Sequence, residues 1–375
     1  MKISFDGKRA ARNFTGLGNY SRYIIELLAR NFPENQYQVY SPSFPQNRQL
    51  ERLRSLSSVS FHQPQQRFLK SFWRSWGILK DLQKNKVDLY HGLSNEIPLG
   101  IKKTGIPAVV TIHDLIFLRY PHYFPWIDRQ IYLFKFRYAC KHANKIIAVS
   151  EQTKRDIVHY FKIPENRIEV IYQNCDPIFS QRVSEIEKQR IRSTYKLPQK
   201  YLLNVGTIEV RKNLLLLIKA LEQTDPEIPL VVIGKDTAYA SKVKQYIKNN
   251  LPEGRVFFLK NVPFGDLPGI YQQAEMFIYP SEYEGFGIPI VEALHSGIPV
   301  IAATGSCLEE AGGPQSLYVS PDNPHELSQA INAILTHPLK KQEMVRAGFE
   351  YIERFSDQNI AGKTMTLYQN LHTKC

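Results

Sequence analysis

The chain has 375 residues, of which 43% are hydrophobic and 22% are charged. This length suggests two domains, because single hydrophobic cores rarely grow beyond about 250–300 residues, and the ordinary composition excludes a largely disordered protein. The formal net charge of +13 is typical of proteins that bind nucleic acid, a membrane surface or phosphorylated substrates, and also of soluble proteins that are simply basic.

Neither the start of the chain nor any internal segment predicts a membrane span or a secretory signal. The longest purely apolar runs, such as residues 214–218, are far shorter than the ~20 residues that cross a bilayer. Residues 1–6 carry an early acid and no apolar stretch. The scattered cysteines indicate reduced thiols in a cytoplasmic protein rather than disulfides or a zinc site; they are Cys140, Cys175, Cys307 and Cys375.

Short apolar runs alternate with amphipathic segments, a pattern typical of α/β proteins with parallel sheets. The strands predicted in the first half are residues 2–5, 37–40, 88–90, 108–112, 145–149 and 168–171. Those predicted in the second half are residues 201–205, 230–233, 256–259, 276–279 and 300–302. Residues 176–200 are charged and lack strand character. We therefore predict Rossmann-like domains over residues 1–178 and 179–355, with a C-terminal helix over 356–375 that packs back on the first domain.

Ligands of doubly wound sheets bind outside the carboxyl ends of the strands. Polar or turn-forming residues follow several predicted strands closely, namely His91, His113, Ser150, Gly206 and Pro280. Functional residues are therefore expected at these positions.

The most informative segment, residues 279–294, leads from a strand through a Gly-Phe-Gly loop into a helix that begins near Pro289. Glycines let a backbone approach a ligand closely, and a helix N-terminus attracts phosphate. Glu284 in the loop is placed to accept hydrogen bonds from sugar hydroxyls, and Glu292 in the helix to accept them from a ribose. Either acid alone is better explained by capping or solvation, but the pair around Gly-Phe-Gly favours a ligand site.

The segment from Glu284 to Glu292 resembles the E-x7-E motif of family-4-type retaining glycosyltransferases, and further motifs follow in the family's order over nearly the whole chain. The resemblance implies the α/β GT-B fold, with two Rossmann-like doubly wound domains facing each other across a cleft. It implies that Glu284 contacts the donor sugar and Glu292 the nucleotide ribose. It also implies that the sugar and phosphates lie against the backbone of Gly285, Phe286, Gly287 and Ile288.

A second cluster follows the strand that ends before Gly206, where Arg211 and Lys212 precede the next helix. Adjacent cations at the carboxyl edge of a sheet suit a leaving diphosphate, whereas surface cations near a helix start are unfavourable with the helix dipole. In the family a lysine of this motif contacts the donor phosphates, which implies that role for Lys212, with Arg211 and Gly206 beside it. Some relatives carry an arginine directly after the glycine, where this chain has Thr207, so the cation that replaces it stays open.

His113 leaves the predicted strand 108–112 toward the ligand edge. A lone histidine after a strand is more often structural, but His113 matches the histidine that family members place near the reacting sugar. The resemblance thus implies catalytic roles for His113, Glu284 and Lys212. His91 is a weaker second candidate, on the acceptor side.

Two further motifs carry weaker signals. Gly16 and Gly18 precede a predicted helix, and although Gly-x-Gly alone is weak, the family has a similar loop at the donor phosphates. The loop is not a dinucleotide fingerprint, because Ser21 replaces the third glycine. The segment around Glu309 resembles the family's Gly-Ser-x-Pro-Glu motif with Leu308 in place of proline, and Glu309 either shapes the donor pocket or is a capping or solvated acid.

Two segments combine aromatic and basic residues. Residues 67–82, written on a helix, form an apolar stripe beside a basic one, which suits a helix that lies on anionic lipid. An ordinary helix that buries its stripe explains the pattern equally well. Residues 126–142 are expected to pack against the first domain and to border the acceptor site.

The resemblance implies a glycosyltransferase that moves a hexose from a GDP- or UDP-linked sugar to a hydroxyl of a glycan or glycolipid in cell-surface polysaccharide synthesis, with retention. GDP-mannose is one candidate donor. We expect no metal and no cofactor, and a cytoplasmic enzyme with peripheral contact to the inner face of the membrane. The alternatives are an inverting transferase or epimerase on the same fold, and a nucleic-acid-binding protein, against which the dispersed basic residues argue.

Overall fold

The computed structural model describes residues 1–13, 15–45, 48–64 and 72–373. Within these ranges the chain divides into two compact units. The first comprises Met1–Gln173 and Phe355–Cys375, and the second comprises Asn174–Arg354. The division thus lies five residues before the predicted boundary at 178, and the last helix of the chain belongs to the first unit.

Over the described ranges the first unit is built on a parallel sheet of seven strands: β1 (Lys2–Asp6), β2 (Gln36–Tyr40), β3 (Val59–His62), β4 (Leu89–Gly92), β5 (Ala108–Ile112), β6 (Lys145–Ala148) and β7 (Ile168–Val170). The strand order is β3-β2-β1-β4-β5-β6-β7, with Ile3 of β1 opposite both Tyr37 and Leu89. The order reverses between β1 and β4, so the carboxyl ends of these strands form the switch point of a doubly wound sheet.

Helices cover the faces of this sheet: α1 (Lys8–Arg12), α2 (Gly16–Asn31), α3 (Arg48–Arg54), a π-helix (Trp73–Gly77), α4 (Ile78–Lys84), α5 (Ile116–Arg119), α6 (Trp126–His142) and α7 (Glu151–Phe161). In α2 the buried residues Ile24, Ile25 and Leu28 recur at helical spacing. They enter the same core as the buried strand residues Ile3 and Phe5.

The second unit repeats the scheme with six parallel strands in the described part of the chain: β8 (Leu202–Val205), β9 (Leu230–Ile233), β10 (Val256–Leu259), β11 (Met276–Tyr279), β12 (Val300–Ala303) and β13 (Leu317–Val319). The order is β10-β9-β8-β11-β12-β13. The switch point therefore lies between β8 and β11, where Met276 pairs with Leu202.

The helices of the second unit are α8 (Glu185–Tyr195), α9 (Leu214–Ala220), α10 (Ala238–Asn250), α11 (Leu267–Tyr271), α12 (Ile288–His295), α13 (Leu308–Gly312), α14 (Pro324–Leu335) and α15 (Pro338–Ile352). A short 3-10 helix (Val210–Lys212) leads into α9. The last helix, α16 (Asp357–His372), packs on α2 of the first unit. There the Tyr23 hydroxyl donates a hydrogen bond of 2.7 Å to Asp357, the first residue of α16.

The predicted strands all occur in the structure, several with the predicted bounds, but β3 and β13 were not predicted. Both are edge strands, each paired with one neighbour only. Their side chains are mostly half-buried. Ser60 and His62 interrupt the apolar residues of β3, and β13 is only three residues long, so neither has the longer apolar run by which a strand inside a parallel sheet is recognised.

Of the helix predicted over 67–82, residues 67–71 lie outside the described residues. The rest forms the π-helix and α4, in which Ile78 and Leu82 are buried while Phe72 and Trp76 are exposed. The Trp73 indole donates a hydrogen bond of 2.7 Å to Asp81. The predicted stripe is thus divided between the core and the surface. No helix in the described ranges is long and apolar enough to cross a membrane.

Candidate active site

Two loops meet at the switch point of the second unit, one after β8 and one after β11. The first runs from Gly206 to the 3-10 helix and ends at Asn213, which adopts a left-handed conformation. The second ends at Gly287, whose φ of +120° favours glycine and which begins α12. The Glu282 amide donates a hydrogen bond of 2.9 Å to the Arg211 carbonyl, which ties the two loops together.

Glu284 gathers the polar side chains of both loops on one carboxylate oxygen. Its Oε1 atom lies 2.5 Å from Lys212 Nζ and 2.9 Å from the Arg211 guanidinium. The hydroxyls of Ser281 and Tyr279 donate to the same oxygen at 2.6 and 3.1 Å. The predicted trio Arg211, Lys212 and Glu284 is therefore brought together, although 72 residues separate Lys212 from Glu284.

The second oxygen of Glu284, Oε2, accepts no hydrogen bond from any described residue. The Arg211 guanidinium also donates to the Tyr283 carbonyl and lies 2.6 Å from Glu209. The protein thus fixes the side chains of Arg211 and Lys212 and one oxygen of Glu284. The second oxygen of Glu284 remains able to accept a hydrogen bond from a ligand.

The charges of this cluster decide its protonation. Burial alone would raise the pKa of Glu284, but the charges of Lys212 and Arg211 and their hydrogen bonds lower it to about 2. Burial alone would lower the pKa of Arg211, because it disfavours the cation. The negative charges of Glu284 and Glu209 outweigh this effect, so the pKa of Arg211 lies above its usual value. Glu284 is consequently an anion throughout the neutral range.

Glu292 shows the opposite behaviour. It lies in α12 and accepts a hydrogen bond of 2.9 Å from the Tyr271 hydroxyl of α11. Burial raises its pKa from 4.5 to about 7; the bond from Tyr271 works against this rise, and the negative charge of Asp176 adds to it. The two acids of one sequence motif thus differ: Glu284 is always ionised, and Glu292 titrates near neutrality.

The loop between these acids is held from inside the unit. The Cys307 thiol donates hydrogen bonds of 3.0 and 3.2 Å to the carbonyls of Glu284 and Phe286. The Phe286 side chain is buried, so Phe286 serves in packing and only its backbone lies in the loop. A Cβ atom on Gly287 would lie 3.0 Å from Leu308, and Gly285 and Ile288 complete the entry to α12.

Several supporting residues were not predicted as site residues. Tyr279, Ser281 and Tyr271 hold the two glutamates, and Cys307 holds the loop. The Tyr-Pro-Ser run that precedes Glu284 in the chain was the available signal for Tyr279 and Ser281. No sequence signal connects Cys307 or Tyr271 with the motif.

The exposed Glu309 side chain bonds to the turn that precedes α13. Its Oε1 atom accepts hydrogen bonds of 2.5 Å from the Thr304 hydroxyl and 3.1 Å from the Gly305 amide. These bonds shape the turn that leads into α13, where an acid in the first turn is favoured by the helix dipole.

In the first unit, His113 directly follows β5 and is buried. Burial lowers its pKa to about 4, so the ring is neutral at neutral pH. Its Nε2 atom lies 2.9 Å from the Leu93 carbonyl, and because a carbonyl only accepts, Nε2 carries the proton. Nδ1 is then an acceptor, for which no described residue supplies a donor.

His91 is a structural residue rather than a second acceptor-side candidate. It is fully buried, and its two ring nitrogens lie 2.5 Å from the Tyr368 hydroxyl and 2.8 Å from the Thr111 hydroxyl. It therefore links β4 to α16 and β5, with both nitrogens in use.

The predicted glycine loop is the first turn of α2 instead of a loop before a helix, and α1 stands between it and β1. A Cβ atom on Gly18 would lie 1.8 Å from the Asn13 carbonyl oxygen, so Gly18 is required by packing. A Cβ atom on Gly16 would meet no atom within 4 Å. Of these two glycines, Gly16 therefore has open space beside it.

Comparisons with known proteins identify the family and the fold of the chain. The family model of glycosyltransferase family 4 matches residues 14–177, and that of glycosyl transferases group 1 matches residues 185–351. O-antigen chain mannosyltransferase B of Escherichia coli is 29% identical over 392 residues, which cover 99% of this chain and 100% of that protein. An O-antigen chain mannosyltransferase of Salmonella typhimurium is 27% identical over 293 residues, covering 78% of this chain and 76% of the relative.

Solved structures share the fold over the full length. The Anabaena protein HepE, solved with UDP and glucose, is 19% identical with a TM-score of 0.75, covering 99% of this chain and 100% of that one. Sucrose-phosphate synthase from Thermosynechococcus elongatus is 19% identical with a TM-score of 0.78 and full coverage of both chains. Since one family model falls on each unit, the chain belongs to the group 1 and family 4 glycosyltransferases, enzymes with the GT-B fold of two Rossmann-like domains.

Proposed function

We propose that this glycosyltransferase moves a hexose from a nucleotide sugar to a hydroxyl of a glycan or lipid-linked glycan in the synthesis of a cell-surface polysaccharide, with retention at the anomeric carbon. The observation that carries the proposal is the cluster of Arg211, Lys212 and Glu284 at the switch point of the second unit. Ligands of doubly wound sheets bind at this place.

The donor diphosphate is assigned to the two cations and to the start of α12. Arg211 and Lys212 are already fixed by Glu284, so little side-chain freedom is lost when a diphosphate binds. The backbone of Gly206 and of residues 285–288 lies beside them and adds the N–H groups of a helix N-terminus. Positive charge held in advance stabilises the leaving diphosphate as the glycosidic bond breaks. The protein itself supplies this charge, so the proposal includes no metal and no cofactor.

The sugar and the ribose are assigned to side chains that can accept hydrogen bonds from their hydroxyls. Oε2 of the ionised Glu284 accepts hydrogen bonds from sugar hydroxyls, and Glu292 accepts them from the ribose. In the first unit, Gly16 takes part in donor binding, and Nδ1 of the neutral His113 accepts a sugar hydroxyl. A carboxylate held by two cations is a poor proton donor and a weakened nucleophile. Retention is therefore assigned to a front-face route, in which the leaving phosphate takes the proton of the attacking hydroxyl.

The names of relatives guide the choice of substrates. Three matched relatives are named mannosyltransferases of the O-antigen or of a serotype, and structures of Anabaena HepE contain UDP or UDP-glucose. We therefore rank GDP-mannose first among donors and UDP-linked hexoses second. With a lipid-linked glycan as acceptor, the enzyme would act at the inner face of the membrane.

A donor panel followed by product analysis tests the proposal. GDP-mannose, UDP-glucose and ADP-glucose are compared by thermal shift, since a ligand that binds only the native state raises the unfolding temperature. The best donor is then incubated with glycan acceptors, and the anomeric configuration of the product is read by NMR. Glu284→Gln is expected to abolish most of the transfer. A new nucleotide sugar formed without acceptor would indicate an epimerase, and an inverted product would refute retention.

A further inference from the structure

Helix α6 is apolar on both its inner and its outer side. Phe136, Ala139 and Cys140 are buried, and the Tyr132 ring contacts Phe117 on the same side. The outer side, however, exposes Trp126 (68%), Ile127 (66%), Ile131 (46%) and Phe134 (60%) to solvent. The prediction that this segment packs against its domain is therefore right for one side only. A contiguous exposed set of large apolar residues marks an interaction site.

A second exposed pair lies beside α6. The rings of Phe72 and Trp76, at the π-helix, are in contact with centroids 4.9 Å apart, and both are about half exposed. The Glu96 carboxylate connects this element to α6, because it lies 2.7 Å from Arg74 of the π-helix and 3.2 Å from Lys135 of α6. We call the six exposed side chains the aromatic patch: Phe72, Trp76, Trp126, Ile127, Ile131 and Phe134.

The charges around the aromatic patch are mainly positive. Arg137 and Lys141 are exposed in the second half of α6. The Gly100 amide donates a hydrogen bond of 2.6 Å to the Tyr138 hydroxyl of α6, so the exposed Lys102, two residues further on, lies near the helix as well. Against these cations α6 carries one exposed acid, Asp128. Aromatic and aliphatic side chains flanked by cations match the interface of a bilayer that contains anionic lipid.

The topology places part of the patch at the functional edge of the first unit. Because α6 connects the parallel strands β5 and β6, it begins at the carboxyl edge of the sheet and returns to the amino edge. Trp126 and Ile127 therefore lie toward the carboxyl edge of the sheet, where His113 follows β5. Arg74 pairs with Asp6, the last residue of β1, which brings Phe72 and Trp76 to the same edge.

We propose that the aromatic patch inserts into the interfacial layer of a bilayer that contains anionic lipid. It thereby holds the carboxyl edge of the first unit at the membrane surface, where a lipid-linked acceptor presents its glycan. The need for such an acceptor rests on the proposed function, whereas the insertion itself rests on the patch and its charges.

Vesicle binding of the full chain tests the insertion. Wild-type protein is expected to bind vesicles of phosphatidylcholine with phosphatidylglycerol, to bind phosphatidylcholine alone weakly, and to be released partly by salt. The triple variant Trp126→Gln, Ile127→Gln, Phe134→Gln should bind at least about tenfold more weakly, because interfacial binding scales with the apolar area inserted. Ile186→Gln with Leu339→Gln, two positions still more exposed in the second unit, is the matched control and should bind like wild type.

A spectroscopic measurement leaves α6 intact. All three tryptophans, Trp73, Trp76 and Trp126, lie in the first unit. In the variant Trp73→Phe, Trp76→Phe, the emission of Trp126 should shift to shorter wavelength when anionic vesicles are added. This result does not depend on whether the triple variant folds, which circular dichroism checks separately.

Three outcomes would overturn the proposal. They are equal vesicle binding by the triple variant and wild type, an unshifted Trp126 emission on anionic vesicles, or self-association that the triple variant abolishes while vesicles are not bound. The last would assign the patch to a second copy of the chain. Nucleotide binding is measured in parallel by calorimetry and should be the same in the triple variant and the wild type. If the wild type itself binds no nucleotide, the proposed function fails, and this result is distinguishable from a failure of membrane insertion.

Discussion

The switch points of the two sheets have the same topology and opposite uses of charge. In the first unit Arg74 stands between two acids, 2.5 Å from Asp6 and 2.7 Å from Glu96. In the second unit one acid stands between two cations, since Arg211 and Lys212 both contact the same oxygen of Glu284. Strand order alone therefore does not make a binding site.

The two networks differ in whether a carboxylate oxygen remains without a partner in the described part of the protein. The Arg74 guanidinium bonds both oxygens of Asp6, so that carboxylate is satisfied within the protein. Glu284 keeps one oxygen outside its network and lies next to the start of α12. We infer that the first switch point serves stability and the second serves ligand binding.

Arg74→Met should destabilise the first unit by about 3 kcal/mol, because it leaves Asp6 buried without its cation. Burial raises the pKa of Asp6, but the charge and hydrogen bonds of Arg74, together with Lys8, outweigh burial and lower the pKa. The stabilisation is therefore present at neutral pH and is lost in acid. Urea denaturation followed by tryptophan fluorescence reports on the first unit specifically. The control is Arg30→Met, an exposed pair with Glu26, which should cost less than about 0.5 kcal/mol. A loss as small as that of the control would break the comparison.

Lys212→Met should lower the rate of transfer by about 10²–10³-fold, the usual cost of removing one preorganised charge from a leaving group. Its effect on stability should be smaller than that of Arg74→Met, since Arg211, Ser281 and Tyr279 still surround Glu284. Steady-state kinetics with the best donor measures the rate. Lys341→Met, which removes a lysine paired with Glu275 at 2.5 Å in the same unit, should leave the rate unchanged. A similar loss in both variants would point to a general effect of charge.

Glu292→Gln should make stability less dependent on pH. The folded pKa of Glu292 is raised to about 7, so its contribution is fully present below the unfolded value of 4.5 and is lost as pH rises through 7. The amide carries no charge, and the variant should exceed wild type by at most roughly 3 kcal/mol at pH 8 and by almost nothing at pH 4. Calorimetry at both values decides. An equal difference at pH 4 and 8 would exclude titration of Glu292 as the cause.

The same variant tests the ribose assignment. If the ionised carboxylate accepts the ribose hydroxyls, affinity for the nucleotide rises in the wild type between pH 6 and 8, while Glu292→Gln binds more weakly with little pH dependence. Parallel curves for the two proteins would remove Glu292 from the ribose site.

The sequence indicated the charged residues at the second switch point but not those at the first, for a physical reason. Strands buried on both faces, such as β9 and β11, appear as unbroken apolar runs, and the polar residues that follow them are then conspicuous. Glu284 and Glu292 lie within one segment, so their spacing is visible in the chain. Arg74 and Asp6 are 68 residues apart, and nothing in either segment indicates the other.

Similar limits explain the remaining differences. Half-exposed edge strands such as β13 lack a clear pattern, and the exposure of Trp126 depends on which side of α6 the core covers. His91 and His113 each follow or end an apolar strand, and only their hydrogen bonds distinguish a histidine with two occupied nitrogens from one with a remaining acceptor.

Gly16→Ala should have the smallest effect and tests whether the open space beside Gly16 belongs to the donor site. The added methyl meets no atom within 4 Å, and because Gly16 is helical, stability should rise by about 0.5–1 kcal/mol. If the donor lies against Gly16, the methyl narrows that space and donor affinity falls about two- to fivefold, or under 1 kcal/mol. Gly362→Ala is the matched control, a helical glycine in the same unit with equally open surroundings, and should gain the same stability with unchanged affinity. Unchanged affinity in both variants would remove Gly16 from the donor site.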